Sequence, residues 1–482
     1  MILAISMFLP ALLGLALPFL GKTSRDLRNG LSLGIQGITL LAVIYIFFKP
    51  QALELWTLSP MMTISYGADG MGSFFALLIS LCWILVSVFS IRYMDHYHSS
   101  RENLFMVFCL LTESALISMC YADNLFSMYL SYELVTLCSL PLVLQDRTPD
   151  AIKFGLKYLF YSMAGAFMAL TGMFLFIIGG NESLMFANQL SLGFSFFVCN
   201  PKTLLGVFLM CLGFGTKAGL FPMQGWLPTA HPVAPAPASA LLSGLVAKAG
   251  VLGVIRVLYY LASPRAVAGT WVQTVLLSLA VFTVFMGSMM AYREQGIKKR
   301  LAYSTVSQIS YALIGIFLLT SDGLHGAMLQ VVFHAVVKIC LFLSAGAFIY
   351  TTGKTEVKEF NGIGRTMPMT LLCFTLASIS LIGIPPTGGF ESKWQLCLTA
   401  MGLELGILSW LIPVVLLVSA VLTAGYLLPI VTNGFFPGKT SAFAEGDYKE
   451  SKLMWIPMII LVVIAFGFGM FSDFLLGIIS GL

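Results

Sequence analysis

Long apolar runs, each about as long as a membrane-crossing helix, recur along the whole chain and are separated by short polar joints. Fourteen can be marked, at 2–20, 31–48, 72–91, 103–121, 124–143, 155–179, 203–221, 238–260, 269–291, 301–319, 324–350, 367–400, 406–432 and 453–475. A helix of ~20 apolar residues spans the hydrocarbon core of a bilayer. The pattern therefore predicts an all-α polytopic membrane protein with about 14 transmembrane helices. The piece 183–198 is apolar but short and is expected to lie along the interface. No basic residue precedes the first run, and Lys22, Arg25 and Arg28 follow it. It reads as a first span rather than a cleaved signal.

Composition narrows the class. The 482 residues are 58% hydrophobic and only 10% charged, where a soluble domain carries about 25% charged residues. A large soluble domain is excluded. Of 26 basic residues, 18 fall in or at the edge of joints after odd-numbered runs (Lys157 just inside the start of 155–179) and three (Lys49, Lys202, Arg265) after even-numbered ones. The positive-inside rule then places both termini outside. The nine cysteines form no C-x-x-C pair, which argues against a zinc, haem or iron–sulfur site in this chain and against a disulfide framework.

Five basic residues remain inside the runs: Lys217, Lys248, Arg256, Lys338 and Lys393. Glu113, Glu133, Glu391 and His334 join them. Each ionisable group at mid-membrane opposes insertion by at least ~2.5 kcal/mol. Such a set is expected to face itself or internal water and to form a polar path; the plainer alternative is a set of pairs joining helices. Two spans combine a buried lysine with a helix breaker. Span 7 ends Gly215-Thr216-Lys217-Ala218-Gly219-Leu220-Phe221-Pro222, and span 12 carries Gly383-Ile384-Pro385-Pro386-Thr387-Gly388-Gly389 before Glu391 and Lys393. Proline removes a backbone donor, and broken helices at matching places in two halves point to a transport site. They lie five spans apart, which predicts two inverted five-helix repeats with broken helices 7 and 12. The expected organisation is helices 1–3 at 1–102, a first repeat (helices 4–8) at 103–260, a second (helices 9–13) at 269–432, and helix 14 at 453–482. The proline-rich stretch Gln224 to Pro237 is expected to form a rigid inside turn.

The run K-x-x-x-x-P-x-x-x-W-L-P-x-A-H-x-x-A-P-x-x-x-S-A-L-L-S-G-x-x-x-K-x-G, from Lys217 to Gly250, resembles the proton-conducting, antiporter-like subunit family. That family occurs in respiratory complex I, Mrp-type antiporters and energy-converting membrane hydrogenases. Asn124-Leu125-Phe126 with Tyr132-Glu133 resembles its N-L-F…W-E helix, with Tyr132 where Trp is usual. Lys298 to Gln308, His334-Ala335-Val336-Val337-Lys338, and Gly383 to Lys393 resemble three further motifs, so the likeness spans about residues 100–400. Middle subunits of complex I usually carry Glu at the place of Lys393, which favours hydrogenase-like or Mrp-like kin.

The resemblance implies that Glu133 pairs with Lys217 and that protons pass through Lys248 to Lys393. A carboxylate beside Lys217 favours its protonated form, and drawing Glu133 away would push the proton onward. His334 and Lys338, four residues apart, share a helix face, and His334 would bridge Lys248 and Lys393. Lys393 is the expected exit gate, with Glu391 as a candidate partner. Arg256 reads as a structural or barrier charge, and Glu113 as an entrance or one half of a helix pair. Lys217, Lys248, His334, Lys338, Lys393 and Glu133 are thus the candidate proton pathway. The chain is expected to hold no cofactor, with iron–sulfur, nickel–iron or flavin groups in partner subunits. The expected setting is a prokaryotic cytoplasmic membrane, within a redox-driven assembly or an Mrp-type sodium/proton exchanger. An intramembrane enzyme lacks a visible nucleophile, and a pure scaffold leaves the buried charges unexplained.

Overall fold

The structure, a computed structural model, describes residues 1–20, 25–59, 62–97, 99–187, 198–438, 443 and 450–480. Lys22, His98, Lys439, Lys449 and most of the apolar piece 183–198 lie outside the described residues. In chain order the elements are α1 (Ile2–Leu20), α2 (Arg25–Phe48), β1 (Ala52–Ser59), β2 (Met62–Gly67), α3 (Gly70–Tyr93), α4 (Ser99–Cys120), α5 (Leu125–Val143), α6 (Pro149–Ile178) and α7 (Pro201–Ala218). Then follow α8 (Leu227–Val233), α9 (Ala236–Leu241), α10 (Ala247–Ile255), α11 (Pro264–Val267), α12 (Trp271–Arg293), α13 (Ile297–Phe317) and α14 (Ser321–Thr352). The chain closes with α15 (Pro368–Ile382), α16 (Gly388–Met401), α17 (Leu408–Phe435), α18 (Lys452–Met470) and α19 (Ser472–Ser480). Eleven helical segments among the described residues are long and apolar enough to cross a membrane, and Ile2–Leu17 and Pro368–Ile382 are shorter apolar helices. The chain is a mostly helical, polytopic integral membrane protein.

The helices begin where capping chemistry allows. Asp69, Asn124, Thr148, Asn200 and Thr320 each accept a hydrogen bond from a backbone N–H three residues on, and Pro149 and Pro201 fill first-turn positions that need no donor. Burial sorts the helices. The apolar windows of 236–261 and α14 are 100% and 94% buried, against 39% for α2, α6 and α17. α14 is the central column, packed on α3, α9, α13, α15, α16 and α18. α2, α6 and α17 turn residues such as Leu41, Phe160 and Val421 outward. Small residues bring α6 and α7 into backbone contact: a Cβ on Gly172 would lie 2.5 Å from the Gly206 carbonyl, and one on Gly213 2.5 Å from that of Gly165.

Two expectations need correction. The all-helical reading missed an antiparallel hairpin, in which β1 pairs with β2 from Ala52↔Gly67 to Ser59↔Met62. The proline-rich stretch, expected as a rigid inside turn, is largely helical and buried. It folds as a 3₁₀ turn, α8 and α9, with Trp226, Ala230, His231 and Ala236 fully buried. Its prolines sit mostly at helix starts, where the missing N–H costs nothing, and Lys298 Nζ donates 2.7 Å to the Ala234 carbonyl at the end of α8.

Candidate functional site

The first broken helix, α7, stops at Gly219, whose φ of +77° suits a residue without Cβ. The freed carbonyls of that end are taken up locally. Gly219 N–H and the Trp226 indole both donate to the Thr216 carbonyl, at 3.1 and 2.9 Å, and Leu220 N–H donates to that of Gly215 at 3.0 Å. Lys217 is thereby left to point at α5. Its Nζ donates 3.0 Å to the Tyr132 carbonyl and also to Thr136 Oγ1, and it lies 3.5 Å from the Tyr132 ring centroid. The aromatic residue at 132 is thus the cation's platform. Glu133, half-buried one residue away, forms no ion pair with Lys217 among the described residues. The two do lie close enough to feel each other's charge.

The next lysine sits against this helix. A Cβ on Gly250 would lie 3.1 Å from Lys217 Cβ, so α10 and α7 meet two residues beyond Lys248. Just before α10 the backbone widens into a π-helical turn, Leu242–Val246, a feature frequent at functional sites. The Ser243 carbonyl in that turn accepts from Lys248 Nζ at 2.8 Å. The same Nζ lies 2.6 Å from His334 Nδ1 on the central column α14. His334 Nε2 has no hydrogen-bond partner among the described residues. The ring lines a small cavity shared with Gln308, Gln330, Ser380 and Lys393. About 10 Å³ of it is open to a water centre, enough for about one water molecule.

Lys393 lies across that cavity. It follows the second break, and its Nζ donates 2.6 and 2.8 Å to the carbonyls of Leu381 and Ile382, the last residues of α15. The lysine therefore satisfies the orphan end of the broken helix. Its neighbours are polar: Ser392 Oγ donates 2.7 Å to Gln330 Oε1, and Gln330 Nε2 donates 3.1 Å to the Gln308 carbonyl. Lys338 leans the other way, donating to Ser304 Oγ and, at 3.0 Å, to the Leu301 carbonyl on α13. That carbonyl also accepts from Thr305 Oγ1, whose hydroxyl lies 2.7 Å from Ser243 Oγ. Hydroxyls thus tie Lys338 back to the π-turn beneath Lys248.

Lys217, Lys248, His334, Lys338 and Lys393 accordingly lie along one buried axis that joins the two breaks. The remaining candidates do not enter it. Glu391 makes no ion pair with Lys393 among the described residues. Arg256 is locked bidentately to Asp69, the cap of α3, at 2.5 and 2.6 Å, and stacks 4.5 Å from the Tyr260 ring centroid. Glu113 is fully buried on α4, and neither carboxyl oxygen has a hydrogen-bond partner among the described residues. His231 was missed as a buried histidine. It is 0% exposed, stacks on Phe342 at 4.9 Å, and neither ring nitrogen has a hydrogen-bond partner among the described residues. Its prolines suggested a loop and hid it.

Residues 122–423 match the family model described as "NADH:quinone oxidoreductase/Mrp antiporter, TM". The chain belongs to that family. It is 31% identical over 371 residues to the NADH-quinone oxidoreductase subunit N of Desulforudis audaxviator, covering 77% of this chain and 72% of the relative. It is also 31% identical over 340 residues to the hydrogenase-4 component B of Escherichia coli, covering 68% of this chain but only 49% of that longer protein. The fold matches a chain of the Mrp complex from Dietzia with a TM-score of 0.84 at 19% identity, over 99% of this chain and 96% of the other. The protein is an antiporter-like membrane subunit.

Proposed function

We propose that this chain translocates protons as a subunit of a redox-driven membrane complex, passing them along Glu133, Lys217, Lys248, His334 and Lys393. One observation carries the reading: Lys248 meets His334 on one side of the ring, and the ring lines a water-sized cavity reaching Lys393 on the other. A proton arriving on Lys248 has an acceptor 2.6 Å away, and His334 offers a second nitrogen toward the next lysine. Lys338 biases the carrier electrostatically through the shared hydroxyls. Glu133, close to Lys217 but unbonded to it, is the charge whose approach loads the first lysine. Arg256, held by Asp69, acts as a fixed barrier charge, and Glu391 stays outside the relay.

The finer architecture belongs to the same proposal. The fourteen apolar runs cross as fourteen helices, with inverted repeats at 103–260 and 269–432 and both termini outside a prokaryotic cytoplasmic membrane. Iron–sulfur, nickel–iron or flavin groups reside in partner subunits. The test is coupled translocation in membrane vesicles of the intact complex, read with a pH-sensitive dye. His334→Phe should reduce protons moved per turnover at least tenfold, and an unchanged ratio rejects the route. A second reading, an Mrp-type sodium/proton exchanger with no redox partner, draws on the fold likeness to the Dietzia Mrp complex. Co-purified stoichiometric iron or nickel favours the first reading; small membrane partners without metal favour the second.

A further inference from the structure

The lysine axis leaves a separate set of buried polar groups unused, in the four-helix unit α1–α4. There α1 and α3 each pack on α2 and α4, which puts α2 and α4 on a diagonal across a shared centre. At one end Arg28 Nη2 meets Glu102 Oε1 at 2.5 Å and Arg28 Nη1 donates 2.6 Å to Asn103 Oδ1. These contacts fix the register of α2 and α4, which run parallel from there. Eleven residues further along each helix stand Thr39 and Glu113. Eleven residues are about three turns with only ~20° left over, and about 16 Å of rise. Thr39 and Glu113 therefore face the centre at one depth, as Arg28 and Glu102 do at the mouth. Ser32 and Gln36 fill the steps between on α2.

α3 runs the opposite way, and its start lies by the end of α4, where a Cβ on Gly72 would run into the Cys120 carbonyl. Eight and eleven residues along, Ser80 and Trp83 arrive at the depth of Glu113. All of these side chains are almost fully buried: Ser32 3%, Gln36 1%, Thr39 0%, Ser80 0%, Trp83 0% and Glu113 0% exposed. Yet Ser32 Oγ, Gln36 Oε1, Thr39 Oγ1, Ser80 Oγ, Trp83 Nε1 and both Glu113 oxygens have no hydrogen-bond partner among the described residues. Buried polar atoms are rarely left so, and ordered water is their usual partner. Among the described residues no cation pairs with Glu113, and an uncompensated buried carboxylate is costly, which favours the protonated carboxyl.

We infer that the α1–α4 unit holds a hydrated polar duct running from the Arg28–Glu102 mouth past Ser32, Gln36 and Thr39 to Glu113, through which that carboxyl exchanges its proton with bulk water. The duct is independent of the lysine axis, and it stands or falls whether or not that axis conducts. The ladder of acceptors on α2, the hydroxyl and indole on α3 and the carboxyl on α4 suit water and a proton. The indole N–H, a donor only, does not suit a cation cage.

The test uses the protein in its native membrane assembly, by infrared difference spectroscopy on transfer to D₂O. A protonated-carboxyl band should shift on solvent exchange within seconds and be absent in Glu113→Gln. Gln36→Leu with Thr39→Val should slow that shift at least tenfold. Treatment of the wild-type assembly with a hydrophobic carbodiimide gives a check that needs no variant. Mass spectrometry should then find the adduct on Glu113, with the same band abolished. No band and no adduct at Glu113, or exchange unaltered by the α2 substitutions, overturns the duct. Loss of the band with proton release on adding millimolar Na⁺ also overturns it, because the site would then hold a cation.

Discussion

The two broken helices solve one problem in opposite ways. α7 satisfies its own severed end through Gly219, Leu220 and the Trp226 indole, and its lysine is released to reach a neighbouring helix. α15 leaves the carbonyls of Leu381 and Ile382 to a lysine from across the break. Lys217 is thus a lysine placed by a break, whereas Lys393 is a lysine that holds a break together. The ammonium of Lys393 caps a severed helix end, whereas that of Lys217 is held by a neighbouring helix whose backbone is intact.

The largest effect should come from the second break itself. A Cβ on Gly389 would run into the Ser380 carbonyl, a backbone atom that cannot step aside. Gly389→Ala should abolish accumulation of the folded subunit, read by immunoblot and detergent-resistant assembly. Normal accumulation would show that the two half-helices are not held at fixed distance.

The lysines come next. Lys393→Met should lower the thermal stability of the purified assembly markedly, since it strands two buried carbonyls at ~1–3 kcal/mol each. Lys217→Met should leave stability within ~1 kcal/mol, because an apolar replacement of a buried charge is often neutral. The Tyr132 carbonyl moreover keeps its bond from Thr136 Oγ1. It should still cut coupled proton translocation at least tenfold. Equal thermal shifts for the two variants would erase the distinction drawn above.

A finer comparison concerns the platform at Tyr132. Tyr132→Leu removes the ring under Lys217 and should cost ~2 kcal/mol, the scale of a desolvated cation–π contact. Tyr132→Phe keeps the ring and loses only the hydroxyl's bond to the Gly213 carbonyl, 3.2 Å long, worth ~1 kcal/mol. Denaturation midpoints that rank the two the other way would show that the hydroxyl, not the ring, matters.

What could be read from the chain follows the range of the interactions. Apolar runs and proline breaks are local signals, so helix positions and both interruptions were legible. So were the buried lysines and His334, because an ionisable residue within an apolar run announces its own cost. Partnerships were harder. Arg256 and Asp69 meet across 187 residues, and nothing near either residue points to the other. Glu133 and Lys217 were expected as a direct pair, yet the backbone carbonyl and hydroxyl of α5 take the ammonium instead. The buried His231 was missed because proline-rich residues read as surface unless the tertiary fold covers them, and the hairpin at 52–67 was missed because its first strand, largely exposed, is a short joint between two long apolar runs.

His334 touches Lys248 through one nitrogen, and its other nitrogen has no hydrogen-bond partner among the described residues. A neutral imidazole carries its single hydrogen on one side only. Under the proposed relay, each proton that comes in at one nitrogen and leaves from the other therefore leaves the ring in the opposite tautomer. Before a second proton can follow in the same direction, the ring must turn over or be reset. The residue thus keeps a one-bit record of its last transfer. Under that relay, resetting the ring is a step separate from moving the proton, and the small cavity beside it is the space in which it would happen.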